Sequence, residues 1–137
     1  MAKVPNPTKR ELAILRILWD LREATVRQVY EEARKDHPIV QNTVQAFLRT
    51  MEQKGLVTHR TAGRSFVYRA VLRREQTSRS MVSGILQRVF DGAIDQLVES
   101  ALELRRPTQK ELDKLRSLLD GAEQRVARKA GKKVRRR

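Results

Sequence analysis

Apolar residues first recur at helical spacing just after Thr8-Lys9-Arg10-Glu11, in the set Leu12, Ile14, Leu15, Ile17, Leu18 and Trp19. Thr8 can cap that helix, and Glu11, three residues on, can reach back to it. The pattern predicts a helix ending near Asp20. A second start follows at Thr25, with Val26, Val29, Tyr30 and Ala33 on one face. His37-Pro38 stops it, because the residue before proline avoids the helical region. A third helix is expected from Val40 to about Lys54, with Gly55 as its C-terminal stop. Val44, Phe47, Leu48 and Met51 form its apolar face. Asn42, Gln45, Ala46 and Arg49 have the same spacing on another face, which has no apolar bulk beyond one alanine.

The period then changes to two. Leu56–Thr61 and Phe66–Ala70 read as strands joined by a four-residue turn, Ala62–Ser65. Three helices followed by a hairpin is the layout of a winged helix. The short strand that such folds add between the first two helices would come from Glu23-Ala24, where the pattern barely signals it. Helical spacing resumes over residues 74–90 through Met81, Ile85, Leu86 and Val89, and breaks at Asp91-Gly92. It resumes with Ile94, Leu97, Val98, Ala101 and Leu102, and breaks at Arg105-Arg106-Pro107. Thr108 and Glu111 form a second capping-box pattern ahead of Leu112, Leu115, Leu118 and Leu119. PTKREL and PTQKEL are one local device used twice, because the sequences around them do not match.

Charge divides the chain in the same places. Of the formal +14 over 137 residues, residues 1–72 carry +6, residues 73–124 carry none, and residues 125–137 carry +8 with no acid. A neutral middle suits packing, and two basic ends suit a polyanion. The expected organisation is a mainly α protein with a small β-hairpin. It comprises a winged helix-turn-helix over 1–72, a helical dimerisation module over 73–122, and a basic, disordered tail over 123–137.

The absence of cysteine removes disulfides, thiolate nucleophiles and cysteine-based metal or redox sites. His37 and His59 have no metal-ligand spacing, and no Ser/His/Asp arrangement or phosphate-binding glycine loop occurs. These features speak against an enzyme and imply no metal or other cofactor. No apolar run approaches the ~20 residues of a membrane span. The N-terminal MAKVPNPTKRE lacks the apolar core of a signal peptide. The reading is a soluble, cytoplasmic protein.

The third helix is nearly neutral in a very basic chain. A helix in the major groove needs side chains that both donate and accept: Asn and Gln can bond adenine through N6 and N7, and a methyl can touch thymine. Gln41, Asn42, Thr43, Gln45 and Ala46 fit base readout there, with Arg49 on guanine or phosphate. Lysines in those places would attract phosphate without reading sequence. Arg60, Arg64 and Arg69 on the hairpin suit the phosphate role. The alternatives are a solvated helix face, a non-specific nucleoid-type binder driven by the tail, and a winged-helix module for protein.

The series LxILxxLW, TVRQVYEE, TVQAFLRTMEQKGLV and GRSFVYRA resembles the penicillinase-repressor family of bacterial transcriptional regulators, which includes the methicillin-resistance repressors. QLVESALELRRPTQKELDKLRSLLD is similar to that family's C-terminal dimerisation helices. The resemblance covers about residues 7–120. It implies a homodimer on double-stranded DNA that blocks transcription at a palindromic operator. Ile85, Val89, Ile94, Leu97, Val98, Ala101, Leu112, Leu115 and Leu119 would form the dimer contact. In the resistance repressors a membrane sensor-protease triggers cleavage at an Asn-Phe bond; Ser100-Ala101 stand at the matching positions here. The copper-responsive branch carries cysteine pairs, which this chain lacks. The Asn-Phe bond and the cysteine pairs are both absent here, so the resemblance assigns no inducing signal and names no upstream sensor for this chain.

Overall fold

The computed structural model describes residues 5–135. Its elements, in chain order, are α1 (Lys9–Leu21), β1 (Ala24–Thr25), α2 (Val26–Ala33), α3 (Gln41–Gln53), β2 (Val57–Ala62), β3 (Ser65–Ala70), α4 (Arg74–Arg88), α5 (Ile94–Leu104) and α6 (Gln109–Arg135). They form two compact units, Met1–Val89 and Phe90–Arg137.

In the first unit α1 opens on the expected capping box. Thr8 Oγ1 accepts the Glu11 N–H at 3.3 Å, and Glu11 Oε1 accepts the Thr8 N–H at 2.9 Å. The helix ends at Arg22, whose φ of 71° turns the chain into β1. A further capping box, Thr25 with Gln28, starts α2. The three helices meet through Ile14, Leu15 and Leu18 of α1, Val29 of α2, and Val44, Leu48 and Met51 of α3, all buried. Burying each large aliphatic side chain contributes roughly 1.5–3 kcal/mol. Leu56, Val57, Ala24 and Tyr68 close this core from the sheet side.

The sheet is antiparallel in the order β1-β3-β2. The weakly signalled first strand exists: Ala24 lies opposite Tyr68, and Thr25 opposite Val67. The hairpin turn is tighter than the expected four residues. Ala62 and Ser65 still pair, which leaves only Gly63-Arg64 outside the ladder. Gly63 has φ +61°, and a glycine with positive φ at the first of two turn positions matches the twist of the flanking strands.

The first unit reaches beyond residue 72. The Trp19 indole N–H donates to the Leu72 carbonyl at 2.9 Å, and the Arg74 guanidinium lies 5.6 Å from the Trp19 ring centre. Arg74 also pairs with Asp20 at 3.0 Å, Thr77 is buried, and Ser80 Oγ donates to Asn6 at 3.0 Å. These ties join residues far apart in sequence, so local periodicity does not reveal them, and α4 belongs to the first unit.

In the second unit the PTQKEL device repeats the first. Thr108 Oγ1 accepts the Glu111 N–H at 3.1 Å, and Glu111 Oε1 accepts the Thr108 N–H at 3.0 Å. Arg105 grips both Glu111 oxygens, at 3.0 and 2.6 Å. Those Arg105 bonds, with the Thr108 N–H, hold the Glu111 carboxyl at about 2. The tail departs from the expectation of disorder, because α6 runs unbroken through Arg135. Residues 123–130 are mostly Ala, Arg, Lys, Glu and Gln, all strong helix formers, and no proline interrupts them. The last two residues of that expected tail lie outside the described ones.

Candidate nucleic-acid interface

Helix α3 divides cleanly by face. Val44, Leu48 and Met51 are fully buried, whereas Gln41, Asn42, Gln45, Ala46 and Arg49 are exposed and Thr43 is half-buried. The helix has no side-chain cap at its start and is anchored at its end. At its C-terminus, Lys54 Nζ donates to Glu11 Oε2 at 2.9 Å. Glu11 is therefore shared: one oxygen caps α1 and the other anchors α3. Burial pushes the Glu11 carboxyl pKa up, but the Thr8 and Lys54 hydrogen bonds and the Lys54 charge outweigh that and hold it below the ordinary value.

From its side, α3 is tied to the hairpin. The His59 Nδ1–H donates to the Glu52 carboxylate at 2.8 Å. The His59 ring stacks on Phe66 at 4.1 Å and lies 5.4 Å from Tyr68. Burial raises the Tyr68 phenol pKa; the charge of Glu52 adds to that and Arg49 opposes it. The rings pack against one another within the hairpin, and the His59–Glu52 bond ties that row to α3.

The gap between them is an open cleft of about 340 Å³, lined in part by Gln41, Gln45, Arg49, Arg64 and Phe66. Five of its lining residues come from the start of α2 and the core edge of the sheet: Thr25, Val26, Arg27, Ser65 and Tyr68. Of the residues expected to read bases, the cleft collects Gln41, Gln45 and Arg49. Asn42 and Ala46 lie on the exposed surface of the same helix outside it, and Thr43 is partly covered.

The three hairpin cations separate. Arg64 sits at the turn and lines the cleft. Arg60 and Arg69 belong to the other side of the sheet, since they alternate with His59 and Tyr68 along their strands. Arg60 is already engaged there: its Nη2 lies 2.7 Å from Glu23 Oε1 and its Nε 3.2 Å from Oε2. These bonds hold the Glu23 carboxyl below its ordinary value, and the charges of Arg60 and Arg69 add to the effect. Arg27 was missed in the sequence reading. It follows the Thr25 cap in the first turn of α2, and its place at the cleft comes from how α2 packs beside α3, which the local sequence does not show. It makes an exposed pair with Glu31 at 3.4 Å.

A profile of the family described as penicillinase repressor matches residues 7–121. The chain belongs to the penicillinase repressor family.

The penicillinase repressor of Bacillus licheniformis is 24% identical to this chain over 120 residues, which span 88% of this chain and 94% of that protein. The methicillin resistance regulatory protein MecI of Mammaliicoccus sciuri is 19% identical over 110 residues, 80% of this chain and 89% of that protein. Among solved structures, the B. licheniformis BlaI monomer in complex with the blaP half-operator is 27% identical. That match covers 55% of this chain and 92% of that one, with a TM-score of 0.48. Membership makes this chain a DNA-binding transcriptional repressor rather than an enzyme. Among the described residues no helix is long and apolar enough to cross a membrane, and no cluster of His, Asp or Glu could hold a metal.

The residues assigned to dimerisation fall in both units of the repressor. Ile85 and Val89 lie in the first unit and are exposed. In the second, Ile94 is 63% and Leu119 65% exposed; Val98 and Ala101 are also exposed, and Leu97, Leu112 and Leu115 are half-buried. Helix α5 buries no residue at all within one chain.

Proposed function

We propose that this repressor acts in the cytoplasm as a homodimer on a palindromic operator, with α3 reading base edges in the major groove. The observation that carries the reading is the amide-rich outer face of α3, exposed beside a cleft that ends in Arg49 and Arg64. On this reading Gln41, Asn42 and Gln45 pair with bases, adenine being the natural partner, and the methyls of Thr43 and Ala46 meet thymine. Arg49 takes guanine, Arg64 at the wing tip takes a phosphate, and Arg69 supports the backbone from the strand. Arg60, bound to Glu23, orients the wing more than it grips DNA.

The dimer reading rests on exposed apolar residues at the end of the first unit and throughout the second. Leucine and isoleucine side chains that one chain leaves in water need a cover. The module after residue 72 supplies it through Ile85, Val89, Ile94, Leu97, Val98, Ala101, Leu112, Leu115 and Leu119 from two copies. Two-fold symmetry then asks for half-sites separated by whole turns, roughly 10 base pairs each.

The test is a competition between DNA upstream of the repressor's own gene and a shuffled duplex, at ~150 mM salt. Specific sites win by about 10³-fold or more. The expected result is such a preference, with a two-fold symmetric footprint. Asn42→Ala should shrink the preference by roughly ten-fold, since a good bidentate pair discriminates by about 1–3 kcal/mol. An Asn42→Ala protein that weakens equally on both duplexes would remove α3 as the reader.

A further inference from the structure

The family match ends at residue 121, whereas α6 continues to Arg135. Nothing in the repressor reading uses this extension. It starts about 24 Å along α6 from Gln109, at 1.5 Å of rise per residue. Residues 125–137 hold eight Lys/Arg and no acid.

Helical geometry organises these charges. Arg125, Arg128 and Lys129 stand at i, i+3 and i+4 and are exposed. The sequence continues the series with Lys132 at i+7. Val126, Ala127, Ala130 and Gly131 occupy the intervening positions toward the other side. The last acid of the chain is Glu123, and the residues three or four positions from it are Val126 and Ala127. No cation of the extension therefore has an acidic neighbour at i−3 or i−4. The cations neighbour one another instead, as Arg125–Arg128 and Arg125–Lys129. Like charges at that spacing destabilise a helix, and a polyanion laid along it removes the repulsion.

The chemistry of the opposite side narrows the polyanion. A helix that lies on a membrane sets large apolar residues against its cations. Here that side is alanine, glycine and valine, with no large apolar residue to insert among lipids. The polyanion the chain already binds is DNA.

We infer that the basic end of α6, from Arg125 onward, forms a second DNA-binding element that grips duplex phosphates without reading sequence. The element depends on charge and is separate from α3, so it acts equally on operator and non-operator DNA. It adds affinity and salt sensitivity and leaves the preference between sequences to α3. The inference rests on the chain's being a DNA-binding repressor and not on the operator reading.

The experiment compares the full chain with a full-length variant carrying R125Q, R128Q, K129Q, K132Q and K133Q. Anisotropy titrations at 50–200 mM KCl use two 30-base-pair duplexes, one of random sequence and one from upstream of the repressor's gene. Circular dichroism confirms that both proteins are folded. Each neutralised phosphate contributes about 0.9 to the slope of log K against log salt. The variant should lose roughly 10³-fold or more in affinity for the random duplex at 100 mM, and its slope should fall by about 4. The ratio between the two duplexes should stay unchanged. An unchanged slope and affinity on the random duplex would overturn the inference. So would a changed ratio with random-duplex affinity intact, or a loss confined to an RNA hairpin or to anionic vesicles. If the wild-type chain shows no preference between duplexes yet the variant still weakens on both, the operator reading fails and this one stands.

Discussion

At the scale of single residues, Glu11 couples helix formation to the placement of α3. Its two oxygens hold Thr8 at the start of α1 and Lys54 at the end of α3. Glu11→Gln keeps one acceptor but loses the charge, and should cost about 1–2 kcal/mol at neutral pH, read as a shift in the urea midpoint. The folded-state pKa lies below the ordinary value, so the stabilisation is present above the carboxylate range and is lost as pH falls through the folded pKa. The difference between wild type and variant should therefore close in acid; a constant difference down to pH 3 would exclude the ion pair as its source. The Thr8–Glu11 half of this arrangement was legible, because capping boxes are local. The Lys54 half was not, because it spans 43 positions. Arg60 shows the same limit. Its charge was plain in the sequence, but Glu23, its partner 37 positions away, was not.

At the scale of elements, the hairpin sets the reach of the wing. The strands were legible from their alternation, whereas the turn length was not. Glycine and serine marked a turn region, but the pairing of Ala62 with Ser65 depends on Gly63 adopting φ +61°, a choice made by the ladder. A Cβ on Gly63 would meet no atom within 4 Å, so Gly63→Ala tests backbone conformation alone. It should cost about 1 kcal/mol in stability. It should also weaken DNA binding by a similar factor on every sequence, because it displaces Arg64 and leaves α3 in place. Titration of the two duplexes would reveal this; a selective loss on the operator would assign the wing a part in base reading. For α3, periodicity displayed both faces. It could not show that the cleft would collect Gln41, Gln45 and Arg49 and leave Asn42 outside, since the cleft walls include β3 and α2.

At the scale of the whole molecule, the neutral middle and basic end were visible as charge, but their structures were less so. The end was expected to be disordered because it shows no bulky apolar face. Helix propensity and continuity with α6 decide otherwise. The boundary of the first unit moved for a similar reason: Trp19, Asp20 and Asn6 hold the start of α4. If a second copy covers the leucine-rich faces, a charge placed there should separate the copies. Leu119→Asp should convert the species sedimenting at twice the chain mass into one at chain mass, with operator affinity down at least ~10-fold through lost bivalency. A variant that still sediments as a dimer would locate the contact elsewhere.

If two copies pair through α5, which buries nothing within its own chain, abundance becomes a control variable. Under mass action, scarce chains pair in proportion to the square of their concentration. Halving synthesis, or doubling cell volume before division, would then reduce the paired form about four-fold in the dilute limit. The promoter under this repressor would respond to gene dosage and growth rate before any inducer arrived.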